Sequence, residues 1–193
     1  DNILRGITMT TKALFGFTLA EVLITLGIIG IVAAMTIPTL MTKFAKSRTE
    51  TQLKTFYSKI NQTVKMSIAE NGDPEGWITS NKEYTYEENV EFLKTYFLPY
   101  MKNLGYYDCS GKHGTGAVCI SLYDGSYMSF YVDGAGGDII YYTNVTKDDV
   151  LNYHKYDILI HNIQQHAFVF QFAKFRDAVN KETISENYVE PYI

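Results

Sequence analysis

The chain has 193 residues, room for one membrane segment and one modest globular domain. Charged residues make up 20% and aromatics 15%, enough for a packed core and too apolar for disorder. Beyond Met41 there are 15 Lys/Arg against 19 Asp/Glu, a net charge of −4. That balance argues against nonspecific polyanion binding, which needs clustered cations.

The first element is the apolar run Phe17 to Met41, 25 residues with one ionisable side chain, Glu21. About 20 helical residues span a hydrocarbon core, so the run fits one tilted transmembrane helix. The ordinary alternative is a cleaved secretory signal. Its apolar region is usually about 7–15 residues and ends at a small-residue cleavage site, which this run lacks. Arg5 and Lys12 precede the run and Lys43, Lys46 and Arg48 follow it, so flanking charge leaves the orientation open. Glu21 is the anomaly, because a carboxylate at bilayer depth costs roughly 2.5–3.5 kcal/mol. Four residues into the run, it can reach the interface by snorkelling, which is one account of it.

The sequence Gly16-Phe17-Thr18-Leu19-Ala20-Glu21 before a long apolar helix resembles the class III signal of type IV pilins and type II secretion pseudopilins. The resemblance implies cleavage between Gly16 and Phe17 by a prepilin peptidase, and N-methylation of Phe17 by the same enzyme. Gly16 suits a protease that threads an extended backbone, having no side chain to obstruct it. Gly30 and Pro38 stand at spacings usual for these helices. Met9 would open a compact basic leader with Lys12 facing the cytoplasm, and residues 1–8 would then lie upstream of the start. This reading divides the chain into a leader, 1–16, an assembly helix, 17–41, an amphipathic continuation, 42–71, and a globular domain, 72–193. Cleavage leaves a cationic amine on Phe17. When helices pack, the amine of one chain can meet Glu21 of the next, so that two groups ill-placed in lipid offset each other and set register.

Pro38 has no N–H for the Ala34 carbonyl, and Gly27 and Gly30 lower local helix stability. The stretch from Gly30 to Pro38 is open to two readings: a segment that unwinds on assembly, as the resemblance implies, or plain tolerance of Gly and Pro in a membrane helix. Beyond Met41, Leu53, Phe56, Ile60, Val64 and Ile68 recur at three- and four-residue steps, with Lys46, Lys54, Lys59 and Lys65 off that stripe. Asn71-Gly72 with Pro74 just beyond reads as the helix stop. The whole would be nearly continuous helix over roughly 80 Å.

In the globular domain, the stretch from Tyr84 to Gly105 reads as a second helix. Val90, Leu93, Phe97, Tyr100 and Leu104 form its buried face, Pro99 breaks it near the end, and Gly105 stops it. Cys109 and Cys119 bracket a short loop and are expected to form a disulfide; a metal site with His113 has three ligands and no fourth. Val118, Ile120 and Leu122 alternate as a strand, and so do Met128, Phe130 and Val132. A two-residue Asp124-Gly125 loop would point these two apolar sets to opposite faces. A three-residue loop, Tyr123 to Gly125, puts them on one face and Gly125 at the left-handed position. The acidic turn Asp133 to Asp138 offers two carboxylates toward calcium, too few to make a site, and a plain turn is expected. Asp138 to Tyr142, Ala167 to Phe175 and Tyr156 to His161 are further strand candidates. His154, His161 and His166 lack metal-ligand spacing.

The fold class is α+β: a long N-terminal helix on a small antiparallel sheet with one extra helix, which the resemblance makes pilin-like. No nucleophile elbow, phosphate loop or zinc motif is present, so no catalysis and no cofactor are expected. The expected function is a structural subunit of a pseudopilus or pilus in type II secretion-type export. Its expected partners are like subunits, the peptidase, the assembly platform and the bacterial inner membrane, with the C-terminal domain outside the cytoplasm. A minor pilin for adhesion, motility or DNA uptake is a close rival. A membrane-tethered binding protein that never polymerises is the other class.

Overall fold

The structure, a computed structural model, describes residues 16–78, 82–111, 113–132, 136–152, 166–173 and 189–191. Its first element is a single helix, α1, Leu19–Asn71, which is α-helical through Gly27, Gly30 and Pro38. The chain divides into two compact units, Asp1–Ala45 and Lys46–Ile193, with the boundary inside α1. In the first unit the large apolar side chains of the described residues are exposed, from Phe17 to Phe44. In the second, Phe56, Ile60 and Val64 of the same helix are buried, and Leu53 and Ile68 pack beside them. Residues 46–71 thus belong to the globular unit, where the stripe periodicity places them. The Gly72 N–H donates to the Ile68 carbonyl at 2.9 Å, and a 3-10 turn, Pro74–Gly76, follows.

The second helix, α2, is Tyr86–Tyr96, shorter than the sequence predicts. Its start is a capping box: the Glu88 N–H donates to the Thr85 hydroxyl, and the Thr85 N–H donates to the Glu88 carboxylate. Its end precedes Pro99, which has no N–H to continue the ladder. Leu104 and Gly105 are therefore not helical. They lie in strand β1, Asn103–Asp108, where Leu104 is exposed and a bulge separates Asn103 from Gly105. Leu93 and Phe97 are buried as expected, but so is Phe92, stacked on Phe130 at 5.4 Å.

Five further strands follow: β2 Val118–Leu122, β3 Tyr127–Val132, β4 Gly136–Tyr142, β5 Ala167–Ala173 and β6 Val189–Pro191. Each pairs antiparallel with its neighbours in the order β1-β2-β3-β4-β5-β6. A third helix, α3 Lys147–Asn152, corrects the expectation of one extra helix; the Thr146 hydroxyl and N–H are both held by Asp149 at its start. The β2–β3 loop has three residues: Val118 faces Phe130, Ile120 faces Met128, and the Leu122 N–H reaches the Ser126 carbonyl at 2.9 Å. Gly125 takes φ 79°, the left-handed conformation such a loop requires.

This register puts Ile120, Met128, Phe130, Ile139, Tyr141 and Phe172 on one face, against α1 and α2. Phe56 stacks on Tyr141 at 4.0 Å between centroids. The other face carries Cys119, Tyr131, Ile140 and Tyr142, packed with Val150 of α3. Both faces are covered, so β3 and β4 are buried nearly throughout rather than alternating.

Candidate functional site

The first candidate site is the start of α1. Thr18 precedes the helix and Glu21 is three residues on, the Thr-x-x-Glu spacing of a capping box. The Thr18 N–H and hydroxyl both donate to Glu21 Oε2, at 2.8 and 2.9 Å, and the Glu21 N–H returns to the Thr18 hydroxyl at 3.2 Å. Among the described residues no donor reaches Oε1. Glu21 therefore has a use within its own chain: its carboxylate takes the Thr18 N–H, a group that a helix start leaves bare, at the end where the helix dipole favours negative charge. The sequence reading assigned no such role to Thr18, although the spacing that marks it was visible. Gly30 makes no intrachain demand, since a Cβ there would meet nothing within 4 Å beyond the helix's own backbone. Among the described residues, one helix is long and apolar enough to cross a membrane. Met9 and Lys12 lie outside the described residues.

The second candidate is the loop between β1 and β2. Cys109 and Cys119 are disulfide-bonded, with Cα atoms 5.7 Å apart. His113, wholly buried beside them, holds the Val150 carbonyl through Nε2 at 2.6 Å and meets the Tyr142 hydroxyl through Nδ1 at 2.8 Å. A carbonyl only accepts, so Nε2 carries the proton and Nδ1 accepts from Tyr142, an assignment made from the hydrogen-bond network. The ligand atoms of Cys109, His113 and Cys119 lie within 4.8 Å of one another. With the sulfurs bonded to each other and both ring nitrogens engaged, the trio is a staple joining the loop to β4 and α3. Burial pushes the Tyr142 hydroxyl pKa well above its ordinary value, which keeps it a neutral donor. Gly116 closes the loop at φ 67°, and a Cβ there would lie 2.3 Å from the Tyr84 carbonyl oxygen. No other residue fits.

Of the two acids considered for calcium, Asp133 lies outside the described residues. Asp138 is not in a turn but in β4, where its carboxylate accepts from the hydroxyl of Tyr131 across the ladder. His154 and His161, and the strand candidate Tyr156 to His161, also lie outside the described residues. His166 bonds the Thr143 carbonyl through Nδ1 at 3.2 Å and belongs to the β4–β5 connection.

Two buried asparagines missed by the sequence reading tie the globular unit together. Asn61 sits within the stripe of α1; its amide donates to the Val189 carbonyl at 3.2 Å and accepts from the Val189 N–H at 3.0 Å, fixing β6 to the helix. Asn89 of α2 donates to the Tyr84 and Gly116 carbonyls and accepts from the Val132 N–H. Neither carries chemistry. Each satisfies backbone groups that burial would otherwise leave bare.

The described chain is thus α+β, with a long apolar-to-amphipathic helix and an antiparallel sheet stapled by one disulfide. It belongs to a family of unknown function, DUF6613, whose model matches residues 39–193. That match starts after Pro38, so Gly16, Phe17, Glu21, Gly30 and Pro38 all lie upstream of it. No curated protein and no solved structure matches the chain.

Proposed function

We propose that the chain is a pilin-like structural subunit, cut between Gly16 and Phe17 by a prepilin peptidase, N-methylated at Phe17, and assembled through its N-terminal helix into a pseudopilus or pilus. The proposed setting is the bacterial inner membrane, in type II secretion-type export, with the globular unit outside the cytoplasm. The observation that carries this reading is the motif Gly16 to Glu21 at the head of a helix whose apolar side chains stay exposed over its first half and are buried on a sheet over its second. Side chains such as Leu23, Ile28 and Ile31 need either lipid or like helices around them. Glu21 Oε2 is held by Thr18, and Oε1, which takes no donor among the described residues, is the oxygen for the amine of a neighbouring chain. Assembly would keep the cap and add the ion pair.

The capping box favours a second reading, a membrane-tethered binding protein that does not polymerise, because it gives Glu21 a purpose without any partner chain. Glu21→Gln separates the two. Glutamine at this position keeps the capping box but carries no charge. A filament subunit should process normally as Glu21→Gln or Glu21→Ala and fail to assemble in both cases, seen as loss of sheared filaments by electron microscopy. Filaments of normal length from Glu21→Gln would overturn the assembly role and leave the tether.

A further inference from the structure

In the globular unit, α1, the turn after α2 and the β2–β3 loop line a groove of about 290 Å³. That is the small end of ligand pockets, which run about 300–1,000 Å³. Its floor is Phe56, Ile60 and Leu122, all buried. Two large apolar side chains, Met66 and Tyr123, stand at its walls, 48% and 66% exposed. Two cations, Lys59 from the helix and Lys102 from the turn, line it as well, and neither makes an ion pair among the described residues. Asp124 is the one acid among the described lining residues; its carboxylate takes the Ser126 N–H and hydroxyl and so serves the hairpin turn. An apolar trough with two unmatched ammonium groups, in a unit of net negative charge, suits a guest with the opposite pattern.

We propose that this groove is a binding site for a small carboxylate with an apolar body. The apolar part packs mainly against Met66 and Tyr123, with the edges of Phe56 and Leu122 beneath it, and the carboxylate meets Lys59 and Lys102. Charge-assisted hydrogen bonds to ammonium groups at the edge of an apolar surface are stronger than neutral ones, so the head group supplies specificity and the trough supplies area. The site draws only on residues of the globular unit and does not depend on assembly.

The test uses the full chain in phosphatidylcholine nanodiscs, with empty nanodiscs subtracted, and two probes: phenylbutyrate and its uncharged amide. Titration calorimetry should show saturable binding of phenylbutyrate and binding of the amide weaker by roughly tenfold or more, because the amide forgoes the charge assistance of both ammonium groups. The double variant Lys59→Gln/Lys102→Gln, at exposed positions where folding is not at stake, should bring the acid down to the level of the amide. Met66→Ala/Tyr123→Ala should weaken both probes alike. No saturable binding to the unaltered chain, equal binding of acid and amide, or either double variant binding like the unaltered chain would overturn the proposal.

Discussion

Ile31 and Ile60 occupy the same helix, yet Ile31 is 61% exposed and Ile60 is fully buried. Nothing in helical geometry distinguishes the two positions. The difference lies in what each half of α1 was given to pack against. Residues 46–71 have an apolar stripe and a polar remainder, and a sheet whose aromatic face matches the stripe. The half before them is apolar nearly all round, and its large side chains stay exposed among the described residues, a pattern compatible with a membrane span. Helix propensity is thus shared along α1, while the free energy of burial is concentrated at one end.

The comparison breaks most sharply at the charged head of the exposed half, where Glu21→Gln should abolish the assembly proposed above. Next comes the pair of isoleucines. Ile60→Ala should destabilise the globular unit by about 2–5 kcal/mol through lost burial and the cavity left behind, whereas Ile31→Ala should leave that unit within about 0.5 kcal/mol. Chemical denaturation followed by Trp77, the single tryptophan, buried and stacked on Tyr96, would read both. Comparable losses from the two variants would mean that the halves are not energetically separate.

The disulfide belongs wholly to the buried region. Cys109→Ser/Cys119→Ser should cost about 3 kcal/mol by the chain-entropy account, with α1 retained by circular dichroism. A stability change near zero would mean that the His113 staple holds the loop alone. The mildest perturbation is alkali. Burial first of all pushes Tyr107 and Tyr141 from 10.0 up to about 12. The unfolded chain ionises these phenols first, so the stability they represent is whole below pH 10 and declines as pH rises from about 10 to about 12. Tyrosinate absorbance should therefore rise together with loss of the native Trp77 signal in that window. Ionisation of every tyrosine near pH 10 with the fold intact would contradict the burial.

What could be read in advance was what depends on local periodicity. Phe56, Ile60 and Val64 followed from helical spacing, and the Tyr123–Gly125 loop followed from the parity of two apolar strands. Strand β1 was hidden because Leu104 prolongs the stripe of Val90, Leu93 and Phe97 by coincidence, while Pro99 had already ended the ladder. Asn61 and Asn89 were invisible for another reason: their partners, Val189 and Gly116, are distant in sequence, and only the finished fold shows which backbone groups need satisfying. Thr18 lies between these cases. Its spacing to Glu21 is legible in the sequence, but a carboxylate in an apolar run points first to lipid and a second chain, whereas a partner three residues away meets part of its need.

The central claim is that this helix is made to be cut before it is used. Intact-mass and terminal-peptide spectrometry of the chain, recovered from membranes of cells that hold a prepilin peptidase, tests it most directly. A mature chain beginning at N-methylated Phe17 is the expected result. A chain that still begins upstream of Phe17 in those cells would contradict it.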